Sequence, residues 1–229
     1  MKPPDVPELA ELPYADALVR HDGPFDAERE YDTVLFERAE FDKPRMPNAH
    51  FLECAFRHVS ITDGRLARAR FRNTWLRDVR LTGATLAEGT WIDVTVIGSS
   101  VAGVELFGTD FRRVVFSGCK LDSVNFRAAQ LTDVTFRNCV LRDVDFAGAT
   151  LTQCSFTGSA LTRVDFSKVT MDRTDLREAE LGLIIDTNSL RGAIISSGQL
   201  AIVAPVLAAT LGIVIDDERP MPPRPPVPG

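Results

Sequence analysis

The chain has 229 residues, 45% apolar and 25% charged, with a formal net charge of −6 and a mean hydropathy of −0.01. That is ordinary soluble chemistry with material for one sizeable core. Four cysteines in a chain this long, with no C-x-x-C, exclude a disulfide framework, and Met1-Lys2-Pro3-Pro4 followed by acids and prolines lacks the charged and apolar regions of a secretory signal, so a reduced cytoplasm is the expected setting.

Residues 1–30 read as an acidic, proline-containing N-terminal cap. Residues 1–29 carry three positive and seven negative charges, a net of −4, and the stretch PELAELPYADALV has helical character. From Tyr31 onward a different rule takes over. Stepping by five gives Phe36, Phe41, Met46, Phe51, Phe56, Ile61 and so on through Phe126, Leu131, Phe136, Leu141 and Phe146 to Leu176 and Leu181. These are 31 positions, (181 − 31)/5 + 1, without one polar residue. A helix repeats its buried face about every 3.6 residues and a strand every 2.0, so neither explains a strict five. Two residues before most large positions sits a small or β-branched one, such as Ala49, Cys54, Val59, Val114, Cys119, Cys139 or Cys154. Arg29 and Pro44 are exceptions near the N-terminal end.

A coiled backbone satisfies both registers. If each five-residue unit makes one side of a square, the large residue points inward from mid-side and the small one faces inward where the wall bends. Four sides close a 20-residue coil, and stacked coils exchange backbone hydrogen bonds about 4.8 Å apart. Positions 20 apart then stack, which sorts Phe116, Phe136 and Phe156 into one column, Phe126, Phe146 and Phe166 into another, and Leu121, Leu141, Leu161 and Leu181 into a third. Pro44 and Pro47 predict an irregular first coil, since proline cannot join a ladder interior.

After Leu181 the phase slips by one, and Ile185, Leu190, Ile195 and Leu200 continue the fives as a distorted last coil. Residues 31–196 therefore form the coiled body. The stretch 197–216 reads as a C-terminal module. Its helix runs from a Ser197 cap to Gly212 and is open to a kink at Pro205, and a short strand follows at Ile213–Ile215. Leu200, Ile202, Val203, Val206, Leu207 and Leu211 surround that helix with apolar side chains, so one face is expected to plug the body and the other to meet a second copy. Residues 192–215 are 24 positions without a charge, which raises a membrane tail anchor as a lesser alternative. Ser196 to Gln199 are poor company for a span, and Leu200–Ile215 is too short for one. Residues 217–229 are a Pro-rich tail that reads as disordered, with P-x-x-P spacing that would suit an aromatic groove.

VDFAG at 144–148, VNFRA at 124–128 and TDLRE at 174–178 fit the pattern A-(D/N)-L-x-x, and in this the chain resembles the pentapeptide-repeat family. The resemblance implies an all-β solenoid, a right-handed quadrilateral β-helix of nearly eight coils with a C-terminal helix and short strand. At the β-stacking distance that is a rod on the order of 35 Å long. It also implies a tail-to-tail homodimer, which a C-terminal module makes in several relatives. Some relatives are acidic DNA mimics that occupy the DNA site of gyrase, inhibiting it or protecting it from quinolones.

Chemistry-bearing residues are few. His21, His50 and His58 have no serine or cysteine spaced to use them, and all four cysteines fall at the small inward position, where they are small core residues. Cys119 and Cys139 stack one coil apart and are expected to stay reduced. Asp145 and Asp165 stack as turn residues. No phosphate loop or zinc spacing occurs, so no enzyme activity, cofactor or metal is expected.

Function then rests on surface. DNA mimicry needs an ordered negative stripe, and Glu30, Asp32, Glu53, Asp93, Asp110 and Asp133 are the candidate acidic face, with Arg70, Arg72, Arg112 and Arg113 among them. The rival is a protein-interaction scaffold that uses outward apolar residues, Trp75, Ile92, Ile97, Phe107 and Val115, as a mid-rod patch.

Overall fold

The computed structural model describes residues 6–25, 30–184 and 190–216. The chain winds as a parallel β-solenoid whose successive turns pair at a spacing of 20 residues. Each turn has four walls. The first is centred on the column Tyr31, Phe51, Phe71, Trp91, Phe111, and the second on Phe36, Phe56, Leu76, Val96, Phe116, Phe136. Mid-rod, these two walls share continuous strands that bend at the corner, namely Arg70–Arg77, Thr90–Ile97, Asp110–Ser117 and Gln130–Arg137. The third wall is an eight-stranded parallel sheet running from Glu40–Asp42 to Glu180–Ile184. The fourth is a column of single bridges at Arg45, Arg65, Thr85, Glu105, Asn125, Asp145 and Asp165. The Arg45–Arg65 bridge is in register, so the first coil is regular despite Pro44 and Pro47; the Pro44 carbonyl accepts from Arg65 N–H, a bond that needs no proline donor.

The five-residue period has a backbone cause. Two positions after each large residue from Tyr31 to Met171 the chain turns a corner in the left-handed region, as at Asp143 (φ +52°) and Gly118 (φ +63°). Glycine enters this region without penalty, and Asn and Asp do so more easily than other residues. The inward small position comes next, and its side chain closes the corner. Cys54 Sγ donates to the Tyr31 and Leu52 carbonyls, and Thr74 Oγ1 makes the equivalent bonds to Phe51 and Arg72. On the fourth wall, Asp145 and Asp165 accept the N–H of Ala147 and Ser167, which explains the Asp/Asn preference there as a turn device rather than a carboxylate pair.

Large side chains fill the axis. Phe116, Phe136 and Phe156 stack at centroid distances of 5.0 and 4.9 Å, and Phe126, Phe146 and Phe166 at 4.9 and 5.3 Å. Each such burial contributes roughly 1.5–3 kcal/mol, and the ladder repeats the gain at every turn.

Both ends are closed. Phe25 lies across the open first turn, stacked on Phe41 at 3.8 Å and against Tyr31 and Phe36, while Val19–Arg20 adds a strand beneath Val34–Leu35. The helical character of the N-terminal segment resolves into two short 3-10 turns, Leu9–Glu11 and Ala15–Ala17. At the other end the phase slip is real. Thr162 pairs with Gly182 but Val164 with Leu183, and Thr174 pairs with Ala193. Leu190 and Ile195 pack on the core as expected, Leu200 is exposed, and Ile185 lies outside the described residues.

The helix spans Ser197–Thr210 with Pro205 inside it. Its cap is Ser196, not Ser197. The Ser196 hydroxyl accepts from Gln199 N–H, and the Gln199 side chain accepts from Ser196 N–H in a reciprocal capping box. Gln199 Nε2 also donates to the Leu176 and Ala179 carbonyls, so it satisfies acceptors at the end of the solenoid where no further coil follows. Ile213–Ile215 form no strand; the Ile213 N–H bonds back to the Ala208 carbonyl instead. The Pro-rich tail lies outside the described residues. No helix among the described residues is long and apolar enough to cross a membrane.

Candidate functional site

The six candidate carboxylates do lie on one wall, the first. Its rows, however, alternate in sign. Glu30, His50, Arg70, Thr90 and Asp110 stack in one row, and Asp32, Leu52, Arg72, Ile92 and Arg112 in the next. The corner row carries Glu53, Asp93, Arg113 and Asp133. Arg113 grips Asp93 with Nε and Nη2 at 2.6 and 2.8 Å, and Arg112 holds Asp110 at 3.2 and 2.7 Å. The Arg113 hydrogen bonds hold the Asp93 carboxyl below the usual range. The same exchange recurs one coil apart elsewhere, as Arg163–Asp143, Arg142–Asp122 and Arg57–Glu37. On this wall Asp93 and Asp110 are thus paired with arginines, and Arg70 and Arg72 interrupt the rows, so the wall is not a continuous stripe of negative charge.

The five apolar candidates do not form one patch. Ile97 and Val115 are half-buried on the second wall, in adjacent coils. Ile92 is round the corner on the first wall, and Phe107, 44% exposed, is on the fourth, which faces away from the second. Trp75 points outward as the spacing requires but is only 1% exposed. The N-terminal segment covers it. The indole N–H donates to the Pro7 carbonyl at 3.0 Å across 68 positions of sequence, and Arg77 beside it pairs with Glu8. No local signal in the sequence marks this contact, because the covering segment is not part of the repeat.

The C-terminal helix divides as its all-round apolar pattern predicts. Val203 is buried at 5% exposure and Leu207 is half-buried. Leu200, Ile202, Val206 and Leu211 remain exposed, joined beyond the helix by Ile213, Val214 and Ile215.

The cysteines sit inward in every case, with exposures of 0–1%. Burial pushes the Cys54 and Cys154 thiols up to about 12, and contact with Cys139 together with burial raises Cys119. His21 Nε2 lies 2.9 Å from the Pro24 carbonyl, while His50 and His58 face Glu30 and Asp78 at 3.8 and 3.6 Å. Among the described residues no group of His, Cys, Asp and Glu could hold a metal ion.

This architecture defines a class, a parallel β-solenoid of four-walled turns that repeat every 20 residues. Residues 89–166 and, in an overlapping match, 109–184 fit the family model described as "Pentapeptide repeat region". Among curated proteins there is no sequence match. Among solved structures the chain is similar to a trypsin-treated form of QnrB1, described as a plasmid-mediated fluoroquinolone resistance protein. That match has a TM-score of 0.47 and 18% identity, covering 87% of this chain and 96% of that one. It is similar also to HetL, a pentapeptide repeat protein involved in heterocyst differentiation regulation from the cyanobacterium Nostoc, with a TM-score of 0.38, 17% identity and coverage of 74% and 91%. A pentapeptide repeat protein of the Arabidopsis thaliana thylakoid lumen matches with a TM-score of 0.20, 12% identity and coverage of 76% and 88%.

Proposed function

We propose that this protein is a non-enzymatic, cytoplasmic protein-binding rod that dimerises through its C-terminal helix. One observation carries the reading: the C-terminal helix leaves Leu200 and Leu211 exposed on one flank of its buried Val203 and Ile202 and Val206 on the other, with Ile213–Ile215 exposed beyond it. Exposed apolar clusters of this kind mark contacts, whereas scattered single residues do not. A second copy is the occupant that this segment favours, because the helix is uncharged and an end-to-end pair buries the same residues on both chains. Light scattering on the full-length protein over a concentration series tests this. Wild type should run at twice the monomer mass and Ile202→Asp at the monomer mass, since Ile202 is 65% exposed in its own chain. A monomeric wild type, or a dimeric Ile202→Asp, would refute it. Deleting the whole module is a poorer test, because Gln199 also closes the end of the solenoid.

The finer reading, a DNA-mimic modulator of DNA gyrase linked to fluoroquinolone resistance, finds less support in the surface. A phosphate-like stripe requires unpaired negative charge, and Asp93 and Asp110 are held by arginines. Gyrase supercoiling with and without a fluoroquinolone decides it. The expected result is no inhibition and no rescue across the titration; either effect would restore DNA mimicry and point to the wall that begins at Glu30.

A further inference from the structure

Along the solenoid body the structure buries two of the described outward positions, Ala55 and Trp75. They are partners in adjacent coils of the second wall. Other coils put Thr95, Thr135, Ser155 and Asp175 in the same column, so nothing in the repeat requires an alanine and a tryptophan there. The N-terminal segment lies outside the wall at this point, with Pro7 and Glu8 bonded to Trp75 and Arg77. Closing the open first turn does not need this stretch: Phe25 and the Val19–Arg20 strand already do that. The stretch reaches instead two coils up the rod. There Pro7 receives the Trp75 indole bond, Glu8 pairs with Arg77, and Leu9, Leu12 and Tyr14 turn their side chains away from full exposure.

We propose that the second wall is a peptide-binding surface and that residues 7–14 are its resident ligand, an autoinhibitory segment that a partner protein displaces. The segment serves as a template for the partner. The chemistry that fits is a short acidic segment with a backbone carbonyl for the Trp75 indole, a carboxylate for Arg77 one residue further on, and apolar side chains following in a single helical turn. Beyond Trp75 the wall continues as Thr95, Ile97 and Val115 without a charge, so an incoming segment gains surface that the resident one never covers. Displacement is feasible because the segment's hold is thin. It makes no ladder pairing before Val19, and its two helical turns are three residues each.

This inference rests on the reading of the protein as a protein-binding rod but not on the C-terminal interface, and the two fail separately. The probe is a fluorescein-labelled synthetic peptide of residues 5–17, DVPELAELPYADA, followed by anisotropy against full-length protein. Glu8→Lys with Leu12→Asp releases the resident segment; Glu8→Lys alone serves if the double variant loses its far-UV spectrum. The released variant should show red-shifted, iodide-quenchable tryptophan emission from Trp75, over a constant background from Trp91 inside the coil. It should bind the peptide at least about tenfold more tightly than wild type, whose tethered segment competes at an effective concentration on the order of millimolar. Arg77→Glu in the released protein should abolish binding, while Ile202→Asp should leave it intact. Emission that does not move would overturn the proposal by showing that the segment is not displaceable. An exposed Trp75 that binds no peptide would overturn it by showing that the segment is only a structural cover.

Discussion

Replacing Phe136 by alanine tests the physical basis of the rod. Phe136 is wholly buried, stacked between Phe116 and Phe156 at 5.0 and 4.9 Å with interplanar angles of 5° and 12°. The edges of Phe126 and Phe146 meet it at 6.3 and 6.1 Å. Truncating a buried phenylalanine costs roughly 3–5 kcal/mol, transfer and cavity terms together. A close aromatic pair adds about 0.5–1.5 kcal/mol beyond its area. In a solenoid each coil contacts only its neighbours, so the cavity cannot be filled from elsewhere. The loss should fall at the upper end of that range, a drop of roughly 10 °C or more in Tm for a chain of this size. Val96 provides the internal control. It occupies the same column, between Leu76 and Phe116, and Val96→Ala removes two methyl-sized groups for about 1.6 kcal/mol. Urea unfolding followed by far-UV circular dichroism measures both, at one protein concentration because association shifts apparent stability. A double-mutant cycle with Phe156→Ala should return a coupling of about 0.5–1.5 kcal/mol. If Phe136→Ala cost no more than Val96→Ala, the axial aromatic column would not be what holds the coils together.

Acid should destabilise the protein. Arginine hydrogen bonds lower the folded pKa of Asp93, Asp122, Asp143, Asp175 and Glu37. A depressed carboxyl contributes stability that is present above its unfolded value, about 4, and lost as pH falls through the folded value. The urea midpoint should therefore hold from neutral pH to about 5 and fall below about 4, with a shallower fall in Arg142→Gln with Arg163→Gln; a midpoint that rises on acidification would contradict this. The four thiols should resist a disulfide reagent in the native state even at pH 9, because all four are 0–1% exposed inside the coil; burial also raises Cys54 and Cys154 to about 12, while the hydrogen bond with Cys119 lowers Cys139. All four should react once the chain is unfolded in guanidinium, and a fast native reaction would place at least one cysteine outside the core.

Most of the interior was legible in the linear pattern. Phe116, Phe136 and Phe156 could be assigned to one column because each coil has 20 residues and each inward side chain touches its equivalents one coil away. The phase slip after Leu181 was also readable from the shifted apolar register, and the structure places it between Thr162 and Val164 of the preceding coil. The acidic wall and the apolar patch read less well. Spacing assigns each residue a row, but it does not say that Arg113 reaches back to Asp93 or that Phe107 faces away from Ile97. The C-terminal residues shared this limit, because an all-round apolar helix does not declare which side turns inward, and Val203 rather than Leu200 took the buried place.

The sequence by itself determined inside from outside along the solenoid. A left-handed corner every fifth residue and a β ladder between coils are local and periodic constraints, so they leave a periodic trace in composition. Only the tertiary structure decided which outward residues meet water. Trp75 has the spacing of a surface residue and the burial of a core one, because Pro7 and its neighbours, outside the repeat and 68 residues away, lie across it. That burial depends on where a non-repeating segment comes to rest, and contacts of that kind have no period for a sequence to display.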